Sequence, residues 1–264
     1  MGKYLVIAKN SLQEYFAYRL NFILWRVRVV ISILISFFLW QTIFRDRSQV
    51  FGYSQAQMLT YIILLTLMNG VVLSTRVFRV AEEINLGKLS NILIRPVNYF
   101  GYTFARDISD KGINIFFSVI EIMLLVLLLH PPLIVQTQIF FLSLFIFFLI
   151  MAAILYFEIG MILSCIGFWS RETWGPQFIF FILVAFLAGT YFPLDILPYP
   201  VYNLLQLLPF TYLVYFPLKI YLGTISYQYI LRGFLILTFW IFTLWWVLNL
   251  LWRKGLKLYT SEGQ

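Results

Sequence analysis

The sequence predicts an all-α membrane protein. Its expected parts are an N-terminal interfacial amphipathic helix, six transmembrane helices, a small cytoplasmic helix between spans 2 and 3, and short or re-entrant helices on the outer side between spans 5 and 6. Three observations predict this. Of the 264 residues, 62% are hydrophobic and 11% are charged, whereas a soluble domain has roughly 45–50% apolar and about 25% charged residues. One soluble core of this size could not hide so much apolar surface. The apolar residues also run in continuous blocks, not in the short alternating segments of a barrel. Finally, all but four of the 19 Lys and Arg fall on one side when the blocks are threaded back and forth.

Residues 3–20 carry Leu5, Ala8, Leu12, Tyr15, Phe16 and Leu20 at helical spacing, with Lys3, Asn10, Gln13 and Glu14 opposite. That pattern fits a helix lying in the inner interface, although an ordinary leading turn of the first span remains open. A span needs about 20 mostly apolar residues to cross a ~30 Å core. Six blocks qualify, at 23–44, 55–75, 112–130, 138–169, 176–192 and 229–251. The first is too long for a signal-peptide core, and no small-residue cleavage site follows it. The fourth is too long for one straight span, so it is expected to extend into the cytoplasm or bend near Gly160.

With the N-terminus inside, the outer side holds only Arg45, Arg47, Lys219 and Arg232. The positive-inside rule then makes both termini cytoplasmic. Arg26 and Arg28, near the inner end of the first span, are expected to snorkel inward. Trp25, Trp169, Trp174 and Trp252 mark the inner interface and Trp40 the outer one.

The longest polar stretch, 76–111, is expected to be cytoplasmic. Glu82 and Glu83 open a short helix with Leu86, Leu89 and Leu93 on one side, and Pro96 stops it. Such a helix, held between two spans, suits docking of a soluble partner; a plain solvated loop is the alternative. Residues 193–228 are Pro-rich yet apolar between the prolines, which suits short or re-entrant helices whose backbone is satisfied within the protein.

Several chemistries are excluded. The net charge of +8 is spread between apolar blocks, so a nucleic-acid face is not expected. Cys165 and His130 are the sole residues of their types. No disulfide, zinc pattern or Ser-His-Asp set follows from them, and His130, beside Pro131 and Pro132, reads as a loop residue at a membrane face. No phosphate-cradling G-x-x-x-x-G-K-[ST] occurs: Gly87-Lys88 is followed by Leu89. No catalytic residue and no metal site is expected. Two carboxylates lie inside spans, Glu121 in the third and Glu158 in the fourth. A charge there costs ~2.5–3.5 kcal/mol, so each should face protein or water. Each is either a substrate or proton site or a hydrogen-bonded link between helices, with no basic residue expected at matching depth. Asp107 and Asp110 are expected at the start of the third span, where a helix N-terminus favours acids.

The run Glu82-Glu83-Ile84-Asn85-Leu86-Gly87-Lys88-Leu89-Ser90-Asn91-Ile92-Leu93-Ile94-Arg95-Pro96-Val97 resembles the E-E-I-x-x-G-x-L-x-x-x-L-x-x-P loop of ABC-2 type transporter permeases. Phe192-Pro193-Leu194-Asp195-Ile196-Leu197-Pro198, followed by Leu208-Pro209-Phe210, is similar to that family's outer segment between spans 5 and 6. The order of parts covers nearly the whole chain.

The resemblance implies a permease that dimerises with an identical or paralogous partner and binds two cytoplasmic ATPase subunits, which alone hold ATP and Mg. It implies export from a bacterial plasma membrane, with the first cytoplasmic loop as the coupling helix. The residues assigned to that coupling are Glu82, Glu83, Gly87, Lys88, Leu89, Leu93, Arg95 and Pro96. Phe192, Pro193, Leu194, Pro198 and Pro209 fall in the outer gate or re-entrant segment.

One transmembrane domain over 1–264 then divides into an interfacial helix (1–21), spans 1 and 2 (22–75), the coupling loop (76–111), spans 3–5 (112–192), the outer segment (193–228), and span 6 with a cytoplasmic tail (229–264). The aromatic content, with 28 Phe and 17 Tyr, favours an amphipathic or lipid-like substrate. The competing reading is a proton-coupled secondary transporter or channel using Glu121.

Overall fold

The computed structural model of the chain describes residues 2–17 and 19–259. The side chains at 12–19, which include Leu12, Tyr15 and Phe16 of the expected apolar stripe, and the tail residues 260–264 lie outside the described residues. Two ends can be told apart. The hairpin end carries the turn after the first long helix, and the connector end carries residues 76–98.

Helix α1 (Gly2–Ala17) lies along the base of a later helix at the connector end. Tyr4 packs at Gly101, the Ala8 carbonyl accepts from Ser109 Oγ at 2.7 Å, and Lys3 Nζ donates to the Pro96 carbonyl at 2.7 Å. Leu5, expected on the same side as Ala8, is exposed.

Helix α2 (Arg19–Ile43) buries Arg26, Val29, Ile33, Phe37 and Trp40 on one stripe and leaves Ile23, Val27, Ile31 and Ile35 exposed. That stripe follows the 3.6-residue period. Strands β1 (Gln49–Val50) and β2 (Tyr53–Ser54) form a small antiparallel hairpin. Ser54 then caps α3 (Gln55–Val71) in a capping box with Gln57. Buried along most of its length, α3 is the axis of the bundle, with α2 on one side.

The connector is more structured than a single short helix. A 3-10 turn (Val77–Arg79) leads into α4 (Val80–Asn85) and then α5 (Ser90–Leu93). Gly87, at φ +69°, makes the break between them, in the left-handed region that favours glycine.

Helix α6 (Tyr99–Leu129) starts at its Asn98 cap, which accepts from the Gly101 N–H at 3.0 Å. It is 31 residues long, so residues 99–111, expected in the cytoplasmic loop, are its lower turns. Polar residues on its inner face, Asp107, Asp110 and Asn114, kept the hydropathy low there without breaking the helix. The close approach of α6 to α3 requires Gly70, since a Cβ there would strike Ser118 Oγ. His130 ends α6 in the left-handed conformation.

Helix α7 (Ile139–Ser164) runs unbroken through Gly160 and tightens into a 3-10 turn only at Cys165–Phe168. Of the two alternatives expected for this long block, a break near Gly160 is not found, since the helix continues past it. Gly160 instead packs on Val77 and Phe78 of the connector, 3.5 Å from where a Cβ would stand.

Helix α8 (Trp174–Leu187) has 14 residues, a rise of about 21 Å, short of a ~30 Å core. The block 176–192 is therefore not one full-length span. After α8 come α9 (Tyr199–Leu205), a 3-10 turn (Pro209–Tyr212) and α10 (Tyr215–Tyr221). The segments 199–205 and 209–221 meet at 78°. Residues 211–220 are all buried, so α10 enters the bundle beside α7 and does not lie on its surface. Helix α11 (Tyr227–Leu258), capped by Ser226, closes the bundle against α7. Among the described residues, five helical stretches are long and apolar enough to cross a membrane, and the bent pair makes up to six.

Candidate functional site

Residues 76–98 fold back onto the connector end. Val77, Val80, Ile84, Leu89 and Ile92 share a core with Phe157, Met161, Phe168, Leu248 and Trp252. The Asn85 amide donates to the Arg171 carbonyl at 2.9 Å, the Tyr259 hydroxyl accepts from the Ser90 N–H at 3.0 Å, and Gln177 donates to the Phe78 carbonyl at 3.1 Å. The connector is thus held from several sides.

This corrects the expected contact residues. Leu89 is fully buried in the chain's own core and presents nothing outward. Helical spacing put Leu86, Leu89 and Leu93 on one side, but the turn at Gly87 breaks the helix between them. The exposed apolar side chains are Leu86 (54%), Leu93 (43%) and Ile94 (84%). Glu82, Lys88, Arg95 and Pro96 are exposed around them. Glu83 points inward: its Oε1 accepts from Arg106 Nη1 at 2.9 Å and its Oε2 from the Tyr99 hydroxyl at 3.1 Å.

Behind this surface a row of charge pairs ties the connector to α6. Besides Glu83–Arg106, Arg76 Nε lies 2.7 Å from Asp110 Oδ2. Asp107 accepts from Thr75 Oγ1 at 2.5 Å and lies 3.2 Å from Lys111 Nζ, which also donates to the Ser74 carbonyl at 2.7 Å. Asp107 and Asp110 therefore do not sit at a helix start: α6 begins at Tyr99, two turns before Asp107 and three before Asp110, and both carboxylates are buried, Asp110 against Arg76 of the connector and Asp107 against Thr75 just before it. The sequence hid this because the partners lie about 30 residues apart on two elements.

Glu121 is also paired. Arg26 Nε donates to its Oε1 at 2.7 Å, and Nη2 meets Oε2. Asn114 and Ser118 accept further bonds from the guanidinium at 3.3 and 3.4 Å, and Ser118 in turn donates to the Thr66 carbonyl at 3.1 Å. A basic residue is thus at matching depth after all. Arg26 turns into the bundle and does not snorkel, because its stem reaches across to α6. Glu158, on α7, is buried and lies outside this group. The two membrane carboxylates are not brought together.

At the hairpin end, Lys219 is buried on α10. Its Nζ lies 2.9 Å from Asp195 Oδ2 and donates to the Tyr53 hydroxyl at 3.0 Å, while Tyr53 donates to Asp195 Oδ1 at 2.8 Å. Burial, and then the Asp195 carboxylate beside it, push the Tyr53 phenol above its ordinary pKa, so it stays a donor. This set pins the bent segment to the β1–β2 hairpin. By sequence Lys219 is only an outer charge; the signal for this set is a lone Asp and a lone Lys within the otherwise uncharged stretch 193–228. Of the expected gate residues, Pro193, Leu194 and Pro209 are buried, Phe192 is half-buried and Pro198 is exposed.

Long apolar helices, with a folded connector braced on the bundle by charge pairs, define a polytopic helical membrane protein. Residues 30–263 match the family model described as ABC-2 family transporter protein, and the chain belongs to that family. No curated protein matches the chain. Membership makes the chain a membrane component of an ABC transporter, and it implies an ABC ATPase as partner.

Proposed function

We propose that the chain is the transmembrane permease subunit of an ABC exporter in a bacterial plasma membrane, with both termini cytoplasmic. Two ATPase subunits, which bind ATP and Mg, dock on the connectors of two permeases, identical or paralogous. The cargo is an amphipathic or lipid-like molecule, in keeping with the aromatic, apolar helices. The observation that carries the reading is the connector itself. Its exposed face offers Leu86, Leu93 and Ile94 with Glu82 and Lys88 at the rim, the pattern of an apolar anchor ringed by polar groups. Its hidden face is fixed to α6 through Glu83–Arg106 and Arg76–Asp110, so a displacement from below passes into a membrane helix without a flexible joint. Pairing of Glu121 with Arg26 weighs against the proton-coupled alternative, since the carboxylate is already committed to a fixed cation.

Docking anchors are worth ~1–2 kcal/mol each or more, or roughly tenfold in affinity for every 1.4 kcal/mol. A Leu93→Asp, Ile94→Asp chain should therefore insert and purify normally yet lose the ATPase that co-purifies with the tagged wild-type chain from native membranes. Ser48→Asp, on the exposed loop at the other end, should retain it. Full ATPase recovery with the double variant would remove the connector from the coupling path.

A further inference from the structure

Helices α2 and α6 pack on α3 from two sides and leave a lateral cleft between them of about 1120 Å³, with Ala8 of α1 among its lining residues. We infer that this cleft is a lipid site that takes one acyl chain of a bilayer phospholipid from the leaflet at the connector end. The inference needs only that the chain sits in a bilayer and stands apart from the export reading.

The walls select hydrocarbon. Phe22, Val27 and Ile31 face Ile113 and Phe116 across the cleft. Among the described residues, the charged ones in its lining are Arg26 and Glu121; they neutralise each other, and their hydrogen bonds run to Asn114, Ser118 and one another. A polar solute would gain no partner there and would lose its hydration. The volume lies slightly above the ~300–1,000 Å³ usual for ligand pockets, and a wall left without neighbours forfeits its dispersion contacts.

The dimensions select a lipid chain over a protein helix. On α6 the cleft runs from Ser109 to Glu121, a rise of about 18 Å, close to half of a ~30 Å core. On α2 it runs only from Phe22 to Ile31, in the connector-end half of a 25-residue helix. A helix from a second copy crosses both leaflets and would need a groove along the full height of α2. A lipid chain occupies one leaflet and ends at its middle.

Gly112 gives the means to test this. It lines the cleft, and a Cβ there would meet no atom within 4 Å. Gly112→Trp should fill the space without displacing backbone, and Gly112→Ala should leave it open. The purified full chain would be placed in nanodiscs containing a phosphatidylcholine with a photoactivatable diazirine midway along one acyl chain. After irradiation, labelled peptides would be mapped by mass spectrometry.

Labels should concentrate on 22–31 and 109–121 relative to the exposed faces of α8 and α11. They should persist in Gly112→Ala and fall about tenfold in Gly112→Trp, the ratio that loss of 1.4 kcal/mol of binding gives. Val27→Trp, from the opposite wall, should have the same effect and serves if Gly112→Trp is not monodisperse. Even labelling of all apolar faces, or labelling that neither tryptophan lowers, would overturn the site. So would loss of a dimer in the tryptophan variants with no labelling of the cleft in the wild type, which would make the cleft a protein interface.

Discussion

Arg26 and Glu121 show how a pair of charges can be placed in a membrane helix bundle. Either charge alone would be costly at that depth. Together they form two direct contacts, and Asn114 and Ser118 take further guanidinium donors. Removing one partner leaves the other buried and uncompensated, which costs about 3–5 kcal/mol, whereas replacing both by apolar groups is often near neutral. Arg26→Leu and Glu121→Leu should therefore each lower the unfolding temperature of the purified protein in detergent, and the double variant should recover most of the loss. Additive single effects would mean that the two side chains do not pair. Glu121→Gln should behave like the other single variants, because the amide keeps a hydrogen bond but leaves the guanidinium charge unmatched. The sequence identified Glu121 as a residue needing a protein or water partner but not which partner. Arg26 and Glu121 are 95 residues apart, and no local periodicity records their approach.

At the scale of elements, the connector separates two kinds of leucine that the sequence treated alike. Spacing alone placed Leu86, Leu89 and Leu93 on one helical face. Gly87 at φ +69° replaces that helix with α4, a turn and α5, and turns Leu89 into the core beside Phe168 and Trp252. Leu89→Ala should then act as a cavity mutation, costing about 2–5 kcal/mol, read as a lowered unfolding temperature of the isolated chain with no ATPase present. Variants at Leu93 and Ile94 should leave that temperature nearly unchanged and act only on docking. If Leu89→Ala proved neutral for stability, the buried placement of Leu89 would be wrong. The start of α6 was hidden for a related reason. Helix periodicity was present at 99–111, but the inward positions were polar, and a hydropathy window sees only the loss of apolar residues. A hydrogen bond from Thr75 and charge pairs with Arg76 and Glu83 satisfy the polar side chains there. The short α8 was hidden in the opposite way: residues beyond Leu187 remain apolar, so the block reads as full length, while the turn through Gly189 has already left the helix.

For the whole molecule, hydropathy records the position and order of the five long apolar helices, because a membrane core sets their length; it misplaces the sixth, reading 176–192 as a span where the structure has the short α8 and a bent pair after it. Orientation rests on charge, and the structure sharpens that count. Lys219, one of four cations assigned to the hairpin end, is buried against Asp195 and Tyr53 and does not face the interface. The exposed cations at that end are then Arg45, Arg47 and Arg232. At the connector end Lys3, Lys9, Arg79, Lys88, Arg95, Arg171, Arg253, Lys254 and Lys257 remain exposed. Positive charge that stays in water near span ends is what opposes translocation, so the corrected count still favours a cytoplasmic connector.

Single-cysteine labelling tests this directly. Cys165 is buried, and its replacement by Ala leaves a background without thiols. Ser48, beside the hairpin, and Asn91, on α5, are both exposed and serve as reporters of the two ends. A membrane-impermeant maleimide should label Ser48→Cys in intact cells and Asn91→Cys only after permeabilisation. Labelling in the opposite order would invert the protein, place the connector away from any cytoplasmic ATPase and end the coupling proposal. Labelling of both sites in intact cells would mean that the helices between them do not separate the two ends across a bilayer.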